Sequence, residues 1–574
     1  MASSPAAGVT ANQNVDTAMQ VVTEAPRPAS WASMPQKRQL ALIVVARFCE
    51  TVASGSLQSY IIFQLQSFTL SDGSAPSTAT VALQLSVLRA CVATPELVTS
   101  TLWGVLADHP RVGRKLVIVA SLVMQGIGSL ALGFTRGFAG AVLCRLLVGL
   151  ASSNKAATRS MIREISGDRF ESRAVLLLPA AFNVGSVVGP VLGGFLAEGA
   201  VSGTGGMQTW FPAWPFALPN MVNGIMLVGC AALMAFHLRE TLPDEAGARS
   251  GRRVHVSMVP GWARRLHRRY FRQQPARYEL LTDQEEHELN ELDNRDDRGE
   301  RQTDDDNDDK QRHVGLWTRR LGLTLAARAL LVMHVFTYPS LLLVFVSTPR
   351  YQPVDGEDGT GVVQRATAPA TVTNGSAPFV HVPPGYHPRA PFTFTGGLAF
   401  RPHDVAMVLA IRGVVGLLLQ LLFFPYLRDV VGTLRLYRYA LVVFPLTYLA
   451  TPYLATVPSS TPPPLPAAGA SLWAIMSAIL MLQSTARSLA LPAGAMLLNA
   501  ACPDRSVLST VNGIGGSVSA AARAIGQLLM TGWLYGKGLE AGIVGAAWWA
   551  MAGVAVAAAV AAACVPAGSG GSLA

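Results

Sequence analysis

The sequence predicts an all-α integral membrane protein, with twelve transmembrane helices in two pseudo-repeated six-helix bundles. Three observations predict it. The 574 residues are 50% apolar and only 14% charged, with mean hydropathy +0.35. A soluble chain carries about 25% charged residues, so most of this one faces something other than water. Twelve apolar runs each reach the roughly 20 residues that a helix needs to cross a hydrocarbon core about 30 Å thick. Finally, Asp108…Gly113-Arg114 after the second run returns as Asp429…Gly432…Arg435 after the eighth, the equivalent place in the second half. A duplicated six-helix unit with its substrate held between the halves is a common build for secondary transporters.

The first six runs are Gln39–Phe63, Thr80–Ala107, Lys115–Phe134, Phe138–Ser160, Val175–Ala197 and Ala217–His237. The second six are Gly322–Ser347, Val405–Leu427, Leu436–Thr456, Ser471–Met496, Val507–Trp533 and Gly542–Cys564. Lipid offers backbone N–H and C=O groups no partner, so runs of this length are stable there only as helix.

This divides the chain into a disordered cytosolic tail (1–38), a first bundle (39–238), a charged linker (239–317), a second bundle (318–565) and a short tail (566–574). The first 38 residues lack the apolar stretch of a cleavable signal peptide. The linker begins basic (Arg252, Arg253, Arg264, Arg265) and turns acidic (Asp304, Asp305, Asp306, Asp308, Asp309), as a solvated linker does. A Pro/Gly/Thr-rich insert, 349–403, separates the seventh and eighth runs.

Orientation follows from the short loops. One face carries Lys37, Arg38, Arg111, Arg114, Lys115, Arg163, Arg169, Arg173, Arg428, Arg435, Arg438 and Arg505; the other carries Arg136 and Lys537. The positive-inside rule puts both termini and the linker in the cytosol. The sequon Asn374-Gly375-Ser376 then falls on the opposite side, where Asn374 can be glycosylated, though such a triplet also arises by chance. The net charge of +10 is spread over these loops rather than gathered in a patch, which argues against nucleic acid as a partner. Six cysteines without a CxxC pair, and scattered histidines, indicate neither a disulfide framework nor a metal site. No cofactor is indicated, and no nucleotide loop or nucleophile–base constellation suggests an enzyme.

Gly104-Val105-Leu106-Ala107-Asp108-His109-Pro110-Arg111-Val112-Gly113-Arg114-Lys115 resembles the loop between helices two and three of the major facilitator superfamily, with two extra residues after the aspartate. The resemblance implies a conformational latch. Gly104 would allow close helix approach, Asp108 would accept from a cation or a helix N-terminus, and Arg114 and Lys115 would anchor the turn at the anionic leaflet. An ordinary basic turn is the alternative. Gly185-Ser186-Val187-Val188-Gly189-Pro190-Val191-Leu192-Gly193-Gly194 resembles the later part of the helix-five motif of proton-driven antiporters, with Leu176 where a glycine usually stands. The rival reading of Gly185, Gly189, Pro190, Gly193 and Gly194 is tight packing alone. Arg239-Glu240-Thr241-Leu242-Pro243, Pro391-Phe392-Thr393-Phe394-Thr395-Gly396-Gly397 and Val511-Asn512-Gly513-Ile514…Ala522-Arg523-Ala524-Ile525-Gly526 narrow the resemblance. They resemble the fungal branch related to zinc-induced-facilitator-like and tetracycline-resistance-type transporters, without implying zinc as cargo.

Ionisable groups inside spans cost several kcal/mol (about 2.5–3.5 on insertion scales) unless they face a cavity or a partner. The carboxylates are Glu50 and Glu96; the deep cations are Arg47, Arg89, Arg145, Arg412, Arg487 and Arg523. A partly buried carboxylate can exchange a proton near neutral pH and an arginine cannot, so Glu50 and Glu96 are the coupling candidates. Arg47 and Glu50 are three apart on one helical face, so a static ion pair competes for Glu50. Arg145, Arg487 and Arg523 either attract an anionic group of the solute or neutralise these carboxylates, with Arg47, Asn154 and Asn512 as further cavity candidates. The expected function is monomeric, proton-coupled antiport of a small organic solute by alternating access. A uniporter or symporter of the same fold, or a non-transporting receptor signalling through 239–317, are the alternatives.

Overall fold

A computed structural model of the chain describes residues 36–70, 72–107, 109, 112–152, 154–166, 168–202, 214–241, 318–351, 362–363, 380–381, 386–419, 423–463, 465–502 and 508–565. Asp108, Arg111, Asn374, nearly all of the linker and most of both tails lie outside these residues.

The first half contains α1 (Lys37–Gln66), α2 (Thr78–Ala107), α3 (Gly113–Gly133), α4 (Phe138–Ala151), α5 (Lys155–Ser166), α6 (Asp168–Ser202) and α7 (Ala217–His237). The second contains α8 (Arg319–Ser347), α9 (Pro402–Leu418), α10 (Phe424–Val431), α11 (Thr433–Ala450), α12 (Ala470–Ala500), α13 (Leu508–Gly526), α14 (Tyr535–Glu540) and α15 (Ala546–Ala563). A 3-10 turn, Thr451–Thr456, extends α11, and a π-helical stretch, Gln527–Leu534, joins α13 to α14. The insert contributes a two-residue antiparallel ribbon, β1 (Val362–Val363) with β2 (Val380–His381).

Among the described residues, eight spans are apolar and long enough to cross a membrane: α1, α3, Leu177–Glu198 of α6, α7, α8, α11 with its 3-10 turn, α12 and α15. The other four are α2, which carries Arg89 and Glu96, and the three composite spans α4/α5, α9/α10 and α13–α14; in chain order, α1, α2, α3, α4/α5, α6 and α7 are spans 1 to 6, and α8, α9/α10, α11, α12, α13–α14 and α15 are spans 7 to 12. Local chemistry sets the ends. Thr318 Oγ1 accepts from Leu321 N at 3.1 Å to cap α8. At α9, Pro402 opens the helix and Asp404 accepts from Arg401 N at 3.1 Å.

The halves repeat in packing as well as in sequence. In the first, span 1 packs on spans 5 and 6, span 2 on span 4, and span 3 on spans 4 and 6. In the second, span 7 packs on 11 and 12, span 8 on 10, and span 9 on 10 and 12. Between halves, span 5 meets span 8 and span 2 meets span 11, so the exchange of halves maps these two contacts onto each other.

The core is not symmetric along the bundle axis. One apolar cluster fills the second half and continues into the insert end of the first, through Tyr60, Phe63, Leu65, Leu85, Leu132 and Phe216. At the termini end the first half keeps a separate cluster, including Leu40, Ile43, Leu122, Met161 and Met234. Leu321, Leu325, Leu498 and Val511 form another in the second half. The halves thus share a core at the insert end and have their own cores at the termini end. Residues 386–401 close over the insert end of the second half: Phe400 N donates to Val346 O, Val544 N to Phe394 O, and Tyr386 OH to Gly542 O at 2.7 Å.

Candidate functional site

Span 4 breaks between Ala151 and Lys155, and the break brings Asn154 to Glu50. Asn154 Nδ2 donates to Glu50 Oε1 and to Ser121 Oγ, both at 2.6 Å. Gln125 Nε2 and Arg47 NH1 also donate to the Glu50 carboxylate, each at 3.2 Å. The same Arg47 guanidinium lies 5.5 Å above the Phe182 ring. The local ion pair is therefore present, and Asn154 and Gln125 add a polar shell from spans 4 and 3. Gln125 and Ser121 carry no charge, so counting ionisable groups passes over them.

Glu96 faces the other half. Its Oε2 lies 3.7 Å from Arg523 NH2, and the two side chains are 17% and 26% exposed. Arg523 also stacks over Phe336 of α8 at 5.4 Å. This pair ties span 2 to span 11 near the middle of the bundle. Asn512, on the same helix, is exposed about 16 Å nearer the termini end, given the rise of a helix.

Arg89 and Arg145 line a cleft with Ser54, Gln58, Leu57, Ile61, Leu85 and Leu88. Arg412 is buried, 5.8 Å over the Tyr338 ring. Arg89 lies within electrostatic reach of both Arg145 and Arg412, and Arg487 within reach of Arg412. Arg145 and Arg487 thus belong to a central basic cluster apart from the two carboxylates, whereas Arg523 neutralises Glu96.

The loop motif is built differently from its sequence reading. Among the described residues, a Cβ at Gly104 would meet nothing within 4 Å. The close contact is at Gly113, whose φ of +73° favours glycine and beside which the Glu240 carboxylate lies. Glu240 accepts from Arg114 N at 3.1 Å and Lys115 N at 2.9 Å, capping α3 where the positive end of the helix dipole lies. The Arg114 guanidinium pairs with Glu164 of α5 instead of reaching for the leaflet. Glu240 sits in the Arg239-Glu240-Thr241 segment, whose resemblance marked the family without revealing this cap.

The helix-five glycines are packing devices. Cβ atoms at Gly185, Gly189 and Gly193 would strike Thr51, Val52 O and Ser56 of α1, while Pro190 presses on Gly55. Gly194 faces the other half, where a Cβ would lie 2.5 Å from Ala406 and 2.8 Å from Pro402 O. The motif therefore holds span 5 between span 1 and span 8, and close packing is realised along its length.

Residues 40–284 match the family description "Major Facilitator Superfamily". The chain is similar to "Major facilitator superfamily multidrug transporter mfsB" of Aspergillus fumigatus, at 28% identity over 548 residues, covering 91% of this chain and 82% of that one. It is also similar to "Protein ZINC INDUCED FACILITATOR 1" of Arabidopsis thaliana, at 29% identity over 146 residues, 25% of this chain and 28% of that one. The inward open structure of the xylose transporter XylE from E. coli superposes with a TM-score of 0.55 over 93% of this chain and 97% of that one, at 12% identity, a likeness of fold. With the repeated bundles and the span 2–span 11 and span 5–span 8 contacts, the chain has the fold of the Major Facilitator Superfamily, resembles it in sequence over residues 40–284, and is similar to membrane transporters.

Proposed function

We propose that this transporter is a proton-coupled antiporter that exports a small organic solute by alternating access. The observation that carries the reading is the asymmetric core: the halves share one apolar cluster at the insert end and keep separate clusters at the termini end. That is the arrangement of a carrier open to one side. With the termini in the cytosol, as the loop charges favour, the open side is cytosolic and ready to load. The multidrug transporter among its relatives supports export.

Proton coupling rests on Glu96. Protonation removes its charge, hence its attraction for Arg523, and loosens the tie between spans 2 and 11. Glu50 is the weaker candidate, because Arg47, Asn154 and Gln125 already hold it in one half. The protein acts as a monomer in the plasma or vacuolar membrane, with 239–317 as a cytosolic linker and Asn374 open to glycosylation.

The test is flux into proteoliposomes that enclose a pH dye, with imposed pH gradients and a radiolabelled panel of organic anions, cations and neutral solutes. Antiport requires proton movement opposite to the solute, abolished by Glu96→Gln. Solute flux without counter-movement of protons would instead establish a uniporter or symporter.

A further inference from the structure

Four deep arginines are left over from the carboxylate pairs. Arg89 and Arg145 come from spans 2 and 4 of the first half, and Arg412 and Arg487 from spans 8 and 10, their equivalents in the second. Arg89 and Arg412 each lie about three turns into their helix. Arg89 feels the charges of Arg145 and Arg412, and Arg487 that of Arg412. Among the described residues none of the four forms an ion pair with a carboxylate; Glu50 and Glu96 are taken by Arg47 and Arg523.

A guanidinium in a membrane interior is costly, and like charges close together there cost more. Neighbouring phenols contribute faces and dipoles: Tyr338 beneath Arg412, and Tyr60 near Arg145. They supply no negative charge. The site also holds unused hydrogen-bonding capacity. Arg412 is 8% exposed and its Nε has no acceptor. Gln483, one helical turn before Arg487, is fully buried beside the Tyr448 hydroxyl, and the neighbouring Ser484 Oγ is unpartnered. A planar fork of donors matches an oxyanion in bidentate fashion, which an ammonium group does not.

We infer that the solute is a small organic anion with at least two negative charges, clamped between Arg89 and Arg145 of one half and Arg412 and Arg487 of the other. This rests on the carrier reading above. The charges of the solute offset the repulsion among the arginines, so the loaded protein can draw its halves together where the empty one is held apart. The apolar wall of Leu57, Ile61, Leu85 and Leu88 takes the carbon body of the solute. Carboxylates and phosphate esters share this oxyanion chemistry, and the probes below separate them.

The experiment measures thermal unfolding of the purified full-length protein in detergent, at constant ionic strength, with citrate, succinate, acetate, glucose 6-phosphate or tetraphenylphosphonium. Labelled citrate and tetraphenylphosphonium are then followed into proteoliposomes under pH gradients of either direction. Succinate, citrate or glucose 6-phosphate saturably raises the unfolding temperature, whereas acetate does so only at much higher concentration. Arg145→Gln and Arg487→Gln each raise the half-saturating concentration about tenfold or more. Arg145→Lys recovers part of the loss, and Arg136→Gln, over Trp214 outside the cluster, changes nothing. Equal effects of acetate and citrate, or saturation by tetraphenylphosphonium alone, overturn the proposal, and both can be read on the unmodified protein if a variant does not fold. Saturable tetraphenylphosphonium uptake above that of protein-free liposomes, without anion binding, would sink the anion site and leave the carrier standing. Anion binding with no flux of any probe would sink the carrier reading and leave the site.

Discussion

Replacing Glu96 with Gln keeps its shape and removes its charge, mimicking the protonated carrier. Two unit charges at 3.7 Å attract by about 4.5 kcal/mol at an effective dielectric constant near 20. Most of that is offset by desolvation. The side chains retain 17% and 26% exposure, so the net worth falls between that of exposed pairs, about 1 kcal/mol or less, and that of buried ones, about 3–5 kcal/mol. A loss of about 1–2 kcal/mol shifts the balance between end states roughly 5- to 30-fold. The shift should appear at the insert end, where spans 2 and 11 touch through Ala79 and Gly536. The assay starts from a variant lacking the six native cysteines, with one cysteine at Ala79 and a membrane-impermeant maleimide on the insert side. Glu96→Gln should raise the labelling rate by that factor, and the swap Glu96→Arg with Arg523→Glu should restore the original rate. An unchanged rate in Glu96→Gln would refute the idea that this pair holds the halves together.

Three further outcomes follow from the geometry. Gly193→Ala drives a methyl group into Ser56 and within 2.6 Å of Ser59 Oγ, an overpacking cost of about 1–3 kcal/mol that should lower the unfolding temperature in detergent. Gly104→Ala meets nothing and should leave that temperature unchanged or raise it slightly, since alanine favours helix by about 0.5–1 kcal/mol over glycine. Glu240→Ala removes two caps from the start of α3, at a cost of about 1–2 kcal/mol, and hydrogen exchange should show faster amides at Arg114 and Lys115 with the remainder of α3 protected.

The spans were legible because length and apolarity are one-dimensional properties: the sixth run coincides with α7, Ala217–His237, at both ends. What hydropathy misses is helix that continues into water and helix that breaks inside the membrane. Thus α6 begins at Asp168 rather than near Val175, span 4 is interrupted before Lys155, and span 11 passes into a π-helical stretch at Gln527–Leu534. Apolarity reports the solvent around a segment, and these features depend on which backbone groups find partners. Site residues show the same division. Charge in an apolar run singles out Glu50, Glu96 and the arginines, and the spacing of Arg47 and Glu50 gives their pairing. Pairing between distant spans, as in Glu96–Arg523 or the Arg89–Arg145–Arg412 cluster, depends on how helices face each other. At Gly104 nothing among the described residues lies close in this arrangement, since a small residue permits close approach and does not compel it.

Alternating access is tested most directly by paired spin-label distances in proteoliposomes. One pair, at Leu102 and Gly513, spans the termini ends of spans 2 and 11; another, at Ala75 and Ala541, spans their insert ends. As pH falls, the first distance should shorten and the second lengthen, each sample showing two populations that trade weight. A single distribution at both ends, unmoved by pH or by Glu96→Gln, would contradict the account.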